Sequence, residues 1–274
     1  MSADKNNLIR AAVAGIGGRM GSRIAQLLGE SEGMELTAGF ESPESVKAGK
    51  DLSEIIGGAL TGKLTAGDIK EVIADCDVII DFTNAEASLK HLKAAAEHGK
   101  SIVIGSTGFT NDQLKEAGEL AKKIPVVIAP NMSLGVNVLF KLAAEAAKLL
   151  GGEYDVEIIE AHHRFKKDAP SGTAMKLAEV LAGALGRDLE KVGKYARHGL
   201  IGERTKNEIG IQSVRAGDIV GDHTIIFGGL GERLELTHRA GSRDTFARGA
   251  IRAAKWIVGK PPGFYDMRDV LGMK

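Results

Sequence analysis

The densest group of side chains able to do chemistry lies in the run Glu160-Ala161-His162-His163-Arg164-Phe165-Lys166-Lys167-Asp168-Ala169-Pro170-Ser171-Gly172-Thr173-Ala174. Five basic side chains (His162, His163, Arg164, Lys166 and Lys167) fall within six positions at the end of a strand-like segment. Adjacent residues of an extended chain point to opposite faces, so one of His162 and His163 at most faces a given cleft directly. Histidine is the natural proton donor near neutral pH, which makes this pair the candidate general acid. Ser171, Gly172 and Thr173 then precede a helical pattern. Small hydroxyl residues and glycine at a helix N-terminus offer hydroxyls and backbone N–H groups to an anion. Together with His163 and Lys166 they suit a substrate carrying one or more carboxylates. No metal is expected, because adjacent histidines rarely ligate one ion and no Cys or carboxylate cluster completes a set. Ser171 does not sit in the G-x-S-x-G context of a hydrolase nucleophile. His91, His98, His198, His223 and His238 read as structural or exposed.

The second candidate site is the turn Val13-Ala14-Gly15-Ile16-Gly17-Gly18-Arg19-Met20-Gly21, which follows an apolar run and opens a helix. Glycines there permit a tight turn, let backbone N–H groups approach a pyrophosphate, and place it at a helix N-terminus. The match to G-x-G-x-x-G is imperfect, since position 20 is Met and the next glycine is Gly21. Glu41, after the second strand, stands where an acid hydrogen-bonds the adenosine ribose. Followed by Ser42 it favours NADH over NADPH, while Arg19 and Arg23 are near enough in sequence to meet a 2′-phosphate. Gly105-Ser106-Thr107-Gly108 and Ala129-Pro130-Asn131-Met132-Ser133 follow two further strands, at the sheet edge where open α/β folds bind ligands.

These residues need a frame. Strands are expected at 9–14, 34–40, 77–82, 101–104 and 125–129, alternating with helices at 19–28, 84–98 and 110–122. That alternation predicts a parallel sheet covered by helices on both faces. The pattern then changes: a helix at 134–150, a strand at 154–161, a helix at 173–185, and strands at 209–215, 222–227 and 233–239. The last three lie close together across glycine-bearing turns, which predicts an antiparallel meander in a second, α+β domain. A final amphipathic helix at 243–258 has the apolar face to return to the first domain.

Composition bounds the rest. The chain has 274 residues, enough for one or two domains with a substantial core. Lys+Arg and Asp+Glu both number 36, and aromatic residues make up 4%, which argues against nucleic-acid and membrane-surface binding. One cysteine, Cys76, excludes an intrachain disulfide and fits a cytoplasmic setting. No apolar run reaches the length of a membrane span. Met1–Asn7 reads as a short polar tail.

The run from Glu160 to Ala174 resembles the signature of the 4-hydroxy-tetrahydrodipicolinate reductase (dihydrodipicolinate reductase) family. Also similar to that family are 13–21, Asp81-Phe82-Thr83, 105–109, 131–137, 215–221, 231–233 and 264–271, so the likeness spans the chain. It implies an N-terminal Rossmann-like dinucleotide domain (1–133 and 242–274). It also implies a substrate and oligomerisation domain (134–241) with a mixed, largely antiparallel sheet. It implies reduction of a cyclic dicarboxylate by NADH or NADPH on the diaminopimelate route to lysine, in a homotetramer. His162 would be the acid, assisted by Lys166; His163, Ser171, Gly172 and Thr173 would hold substrate carboxylates. Gly15, Ile16, Gly17, Gly18, Arg19, Met20, Glu41, Gly105, Ser106, Thr107, Ala129, Pro130, Asn131 and Met132 would bind the nucleotide. Ser42 and Asn84 stand where some members carry Arg, which points away from tight NADPH binding. The competing readings are another two-domain dehydrogenase, such as one acting on an amino-acid semialdehyde, and a nucleotide-sensing protein without turnover.

Overall fold

A computed structural model describes residues 8–57 and 62–273. The polar tail expected at Met1–Asn7 lies outside the described residues. In chain order the elements are β1 (Ile9–Ala14), α1 (Arg19–Gly29), β2 (Met34–Phe40), α2 (Leu52–Ile56), β3 (Val78–Asp81), α3 (Ala85–Glu97), β4 (Ser101–Ile104), α4 (Asn111–Leu120) and β5 (Pro125–Ile128). Then come α5 (Leu134–Leu150), β6 (Asp155–His162), α6 (Gly172–Ala184), α7 (Leu189–Val192), β7 (Gly193–Lys194), β8 (Ile209–Arg215), β9 (Gly221–Gly228) and β10 (Arg233–Ala240). The chain closes with α8 (Asp244–Ile257), β11 (Gly263–Tyr265) and α9 (Met267–Val270).

The chain divides into two compact units, 1–134 with 244–274, and 135–243. In the first, six strands form a sheet in the order β2-β1-β3-β4-β5-β11, with every pairing parallel. Val78, Ile79 and Ile80 are fully buried, as a central strand covered on both faces requires. One face packs Ile24, Leu27 and Leu28 of α1 with Ala250, Ala254 and Ile257 of α8. The other packs Leu92 of α3 and Ala117 of α4. Strand order reverses beside β1, so the loop after β1 opens at the crevice where such sheets take ligands.

The second unit holds a five-stranded mixed sheet in the order β10-β9-β6-β8-β7, with Leu139, Ala143, Leu177, Leu181, Ile158 and Phe227 in its core. The meander expected for 209–239 does not form. β9 and β10 make an antiparallel hairpin, but β8 runs parallel to β6, and β6 stands between β8 and β9. The reason is the α6 crossover: a strand–helix–strand unit returns its second strand parallel to the first. No helix among the described residues is long and apolar enough to cross a membrane.

Candidate active site

In the second unit the chemistry gathers at the C-terminal end of β6. A strand's two-residue period puts Glu160 and His162 on one face, the face that packs inward. Glu160 is fully buried. Its carboxylate accepts from Arg215 Nη1 and Nη2 at 2.9 and 2.8 Å, from the Ser171 backbone N–H at 3.1 Å, and pairs with His162 Nδ1 at 2.6 Å. Arg215 reaches this spot because β8 pairs with β6 in a register that sets it beside His162. The same guanidinium donates to the Asp168 carbonyl at 2.7 Å, tying the 164–170 loop to the sheet. Burial alone would push the Glu160 carboxyl up, but hydrogen bonds from Arg215, Ser213 and His162 outweigh it and hold it at about 2. Burial pushes the His162 imidazole below its ordinary value against the pull of Glu160, and the positive charges of Lys166 and Arg215 add to the drop. Glu160 is therefore ionised and His162 neutral at pH 7, with its proton on Nδ1, donated to Glu160. Among the described residues His162 Nε2 makes no hydrogen bond, and it lies against Gly221, where a side chain's Cβ would stand 3.1 Å from it.

Ser171 is the N-cap of α6, its Oγ accepting from the Ala174 N–H at 3.2 Å and meeting His223 Nε2 at 3.1 Å. The His223 ring stands edge-on to His162, with centroids 5.2 Å apart. Burial, with the nearby His162, drives the His223 imidazole down to about 4. Lys166 Nζ pairs with Asp168 at 2.9 Å, and that lysine holds the Asp168 carboxyl below the usual carboxylate range. His163 Nδ1 is buried without a hydrogen-bond partner among the described residues, and its ring lies 6.3 Å from that of Phe165.

In the first unit the loop after β1 turns at Gly15, whose φ of +60° only glycine adopts readily. A Cβ on Gly21 would collide with the Gly15 carbonyl, so this glycine lets α1 begin tight against the turn. Gly18 caps α1 and offers no side chain to its first N–H groups. Glu41 Oε1 accepts from the Gly17 N–H at 2.5 Å, and Lys47 Nζ donates to the Gly17 carbonyl. A buried polar chain underlies the neighbouring loops. His91 meets Asp81 at 2.7 Å, Thr83 Oγ1 donates to Asp81 at 2.7 Å, and Ser88 Oγ donates to Ser106 at 2.8 Å. The tip of the Phe82 ring lies against Gly105, where any side chain would clash with it. The Ala129 N–H donates to the Ile104 carbonyl at 3.1 Å, and the Ser133 N–H to Asn131 Oδ1 at 2.9 Å.

Residues 9–132 match the family model described as dihydrodipicolinate reductase, N-terminus, and residues 135–271 match that for its C-terminus. The chain belongs to the dihydrodipicolinate reductase family. Among its relatives, the 4-hydroxy-tetrahydrodipicolinate reductases of Syntrophobacter fumaroxidans and Syntrophus aciditrophicus are 63% and 59% identical. Each match covers 97% of this chain and all of the relative. A dipicolinate-bound dihydrodipicolinate reductase from Paenisporosarcina sp. TG-14 superposes with a TM-score of 0.76. It is 29% identical, over 94% of this chain and 97% of that one. An amine dehydrogenase from Mycobacterium smegmatis, 16% identical over 94% of each chain, shares the fold at a TM-score of 0.60.

A reductase of this family is an oxidoreductase with a nicotinamide-dinucleotide domain, and the first unit fits such a group. The Gly15–Gly18 turn, the uncapped start of α1 and Glu41 meet around one backbone stretch, and Gly105–Thr107 and Ala129–Met132 lie on the same sheet edge. Of Arg19 and Arg23, the two arginines near enough in sequence to be weighed for a 2′-phosphate, Arg23 is already committed. Its guanidinium clasps Asp244 of α8 at 2.7 and 2.6 Å. In the second unit His162, Lys166, Ser171, Gly172 and Thr173 gather around the β6 end and the α6 start. Sequence reasoning passed over Glu160 and Arg215 as site residues, and treated His223 as structural. The Glu160-x-His162 spacing was the available signal, since it puts both on one strand face. Arg215 had no local signal, because only the β6–β8 register brings it in.

Proposed function

We propose that the protein reduces 4-hydroxy-tetrahydrodipicolinate, by way of dihydrodipicolinate, to tetrahydrodipicolinate with NADH or NADPH, in the diaminopimelate route to lysine. The observation that carries this reading is the orientation of His162. Its Nδ1–H is fixed on a buried carboxylate that Arg215 holds ionised, and Nε2 is left for substrate. The names of the relatives and the dipicolinate in the related structure supply the substrate class.

The reduced nicotinamide supplies the hydride. The chain's residues supply anion binding and a proton. A substrate dianion near Lys166 and the start of α6 makes charge-assisted contacts with Lys166, His163, Ser171 and the Gly172 and Thr173 backbone. Its negative charge also favours protonation of His162 at Nε2. Two unit charges about 4 Å apart at an effective dielectric of ~20 interact by ~4 kcal/mol, about 3 pKa units. The imidazolium so formed keeps its Nδ1–H on Glu160, and Nε2 then protonates the ring carbon adjacent to the site of hydride addition. His162 ends neutral, ready for a solvent proton.

The first unit, 1–133 with 242–274 in this reading, holds the nucleotide, and 134–241 holds the substrate. The enzyme works in the cytoplasm as a homotetramer, joined through the outward sheet face that carries the exposed Ile159 and Val214. The test is oxidation of NADH and NADPH at 340 nm with substrate formed from pyruvate and aspartate semialdehyde. Turnover inhibited by pyridine-2,6-dicarboxylate is expected. Binding of both nucleotides without turnover would overturn the reading in favour of a sensor.

A further inference from the structure

Glu41 and Lys47 reach the same glycine from opposite sides of its peptides. Glu41 Oε1 takes the Gly17 N–H and Lys47 Nζ takes the Gly17 carbonyl. A Cβ at Gly17 would collide with the Lys47 stem and the Glu41 carboxylate, so both side chains lie directly on the glycine turn. Lys47 sits on the loop that follows Glu41, six positions on, where its backbone N–H meets Ser45 Oγ at 3.3 Å. Ser42, next to the acid, brings no charge.

We propose that Lys47 is the specificity-determining residue that lets this site accept the adenosine 2′-phosphate of NADPH, while Glu41 serves the free ribose hydroxyls of NADH. The inference rests on the dinucleotide reading of the first unit given above. A carboxylate beside the ribose repels a 2′-phosphate, so NADPH use needs a compensating cation at the same spot. Other cations near the crevice are tied elsewhere: Arg23 to Asp244, Lys90 to Glu86 and Lys93 to Glu116. Among the described residues, Arg19 and Lys70 have no such pairing and make no hydrogen bond to the Gly17 peptide that Glu41 holds. Lys47 alone among them is already within hydrogen-bond reach of it. Its bond to a neutral carbonyl is one it can exchange for a charge-assisted bond to phosphate, which is the stronger. Glu41 makes the matching exchange, leaving the Gly17 N–H for the ribose hydroxyls.

The experiment is titration of the whole enzyme with NADH and with NADPH, followed by nucleotide fluorescence so that affinity is read without turnover. Wild type, Lys47→Met, Lys47→Arg, Arg19→Met and Lys70→Met are compared, with circular dichroism confirming the fold of each. The expected result is that Lys47→Met weakens NADPH roughly 10- to 100-fold, the range for losing one hydrogen bond to a charged group. NADH should stay within about twofold, and Lys47→Arg should retain NADPH binding. Equal losses for both nucleotides would make Lys47 a prop of the turn and overturn the proposal. So would NADPH loss in Arg19→Met or Lys70→Met but not in Lys47→Met. A wild type that binds neither nucleotide would sink the dinucleotide reading itself, and the proposal with it.

Discussion

At the scale of the residue, His162 is a neutral imidazole asked to act as an acid. Burial lowers its affinity for a proton, and the buried Glu160 carboxylate limits the loss without reversing it. An acid must be protonated to work, so kcat/KM, which reports the free enzyme, should fall as pH rises through a midpoint below the ordinary ~6.5 of histidine. The bound dianion restores proton affinity, so the corresponding limb of kcat should lie at higher pH. Paired pH profiles of kcat and kcat/KM check this, and coincident limbs would show that substrate charge does not load the proton. Replacing His162 with Gln removes the proton donor while leaving a hydrogen-bonding side chain against Glu160. The expected loss in kcat is roughly 10²- to 10⁴-fold with the fold intact. An unchanged kcat would take His162 out of the reaction.

At the scale of the element, two close approaches place the nucleotide-side loops. Gly249 of α8 lies so near the Met132 carbonyl that a Cβ there would collide with it, and Gly21 meets the Gly15 carbonyl in the same way. Backbone cannot yield as a side-chain tip does. Gly249→Ala should therefore cost about 1–3 kcal/mol, the usual penalty of overpacking, and raise the KM for nucleotide by displacing 129–132. Urea unfolding and nucleotide saturation curves test this, and an unchanged KM would separate helix packing from the loop. The parallel strands β3, β4 and β5 were legible in the sequence as short, nearly continuous apolar runs, and β1 and β2 as largely apolar runs interrupted by Arg10 and by Glu35 and Thr37. β8 was legible as a strand but not in its pairing. Gly-bearing turns pointed to its neighbour β9, whereas the α6 crossover sends it to β6. Arg215 was missed for the same reason: its partner Glu160 lies 55 residues away and is met only through that pairing. The His162–Glu160 pair is local: the two-residue period of a strand puts both on one face, a signal that was present in the sequence and passed over. β7 and β11 were missed because two and three residues leave no periodicity to read.

At the scale of the whole molecule, net charge is zero, so pH dependence of stability comes from a few buried groups rather than from general repulsion. The strongest of these between neutral and acid pH is His223, held near 4 by burial and by its neighbour His162. When the chain unfolds, His223 regains an ordinary value of ~6.5. Below that pH the unfolded state binds a proton that the folded state refuses, so stability is complete above ~6.5 and is lost as pH falls toward 4. Between pH 7.5 and 5 the loss from this one group is about 2 kcal/mol. Glu160 adds a second loss at lower pH, from the ordinary carboxylate range down to about 2, as the unfolded carboxyl protonates first. His162 shifts in the same direction as His223, so the wild type should lose more than His223 alone accounts for. His223→Gln keeps a hydrogen-bonding partner for Ser171 but cannot titrate. Urea melts of both proteins at pH 7.5 and 5 should show the variant losing about 2 kcal/mol less than the wild type. Equal losses would mean that His223 keeps its proton in the folded state, and that acid sensitivity arises elsewhere in the molecule.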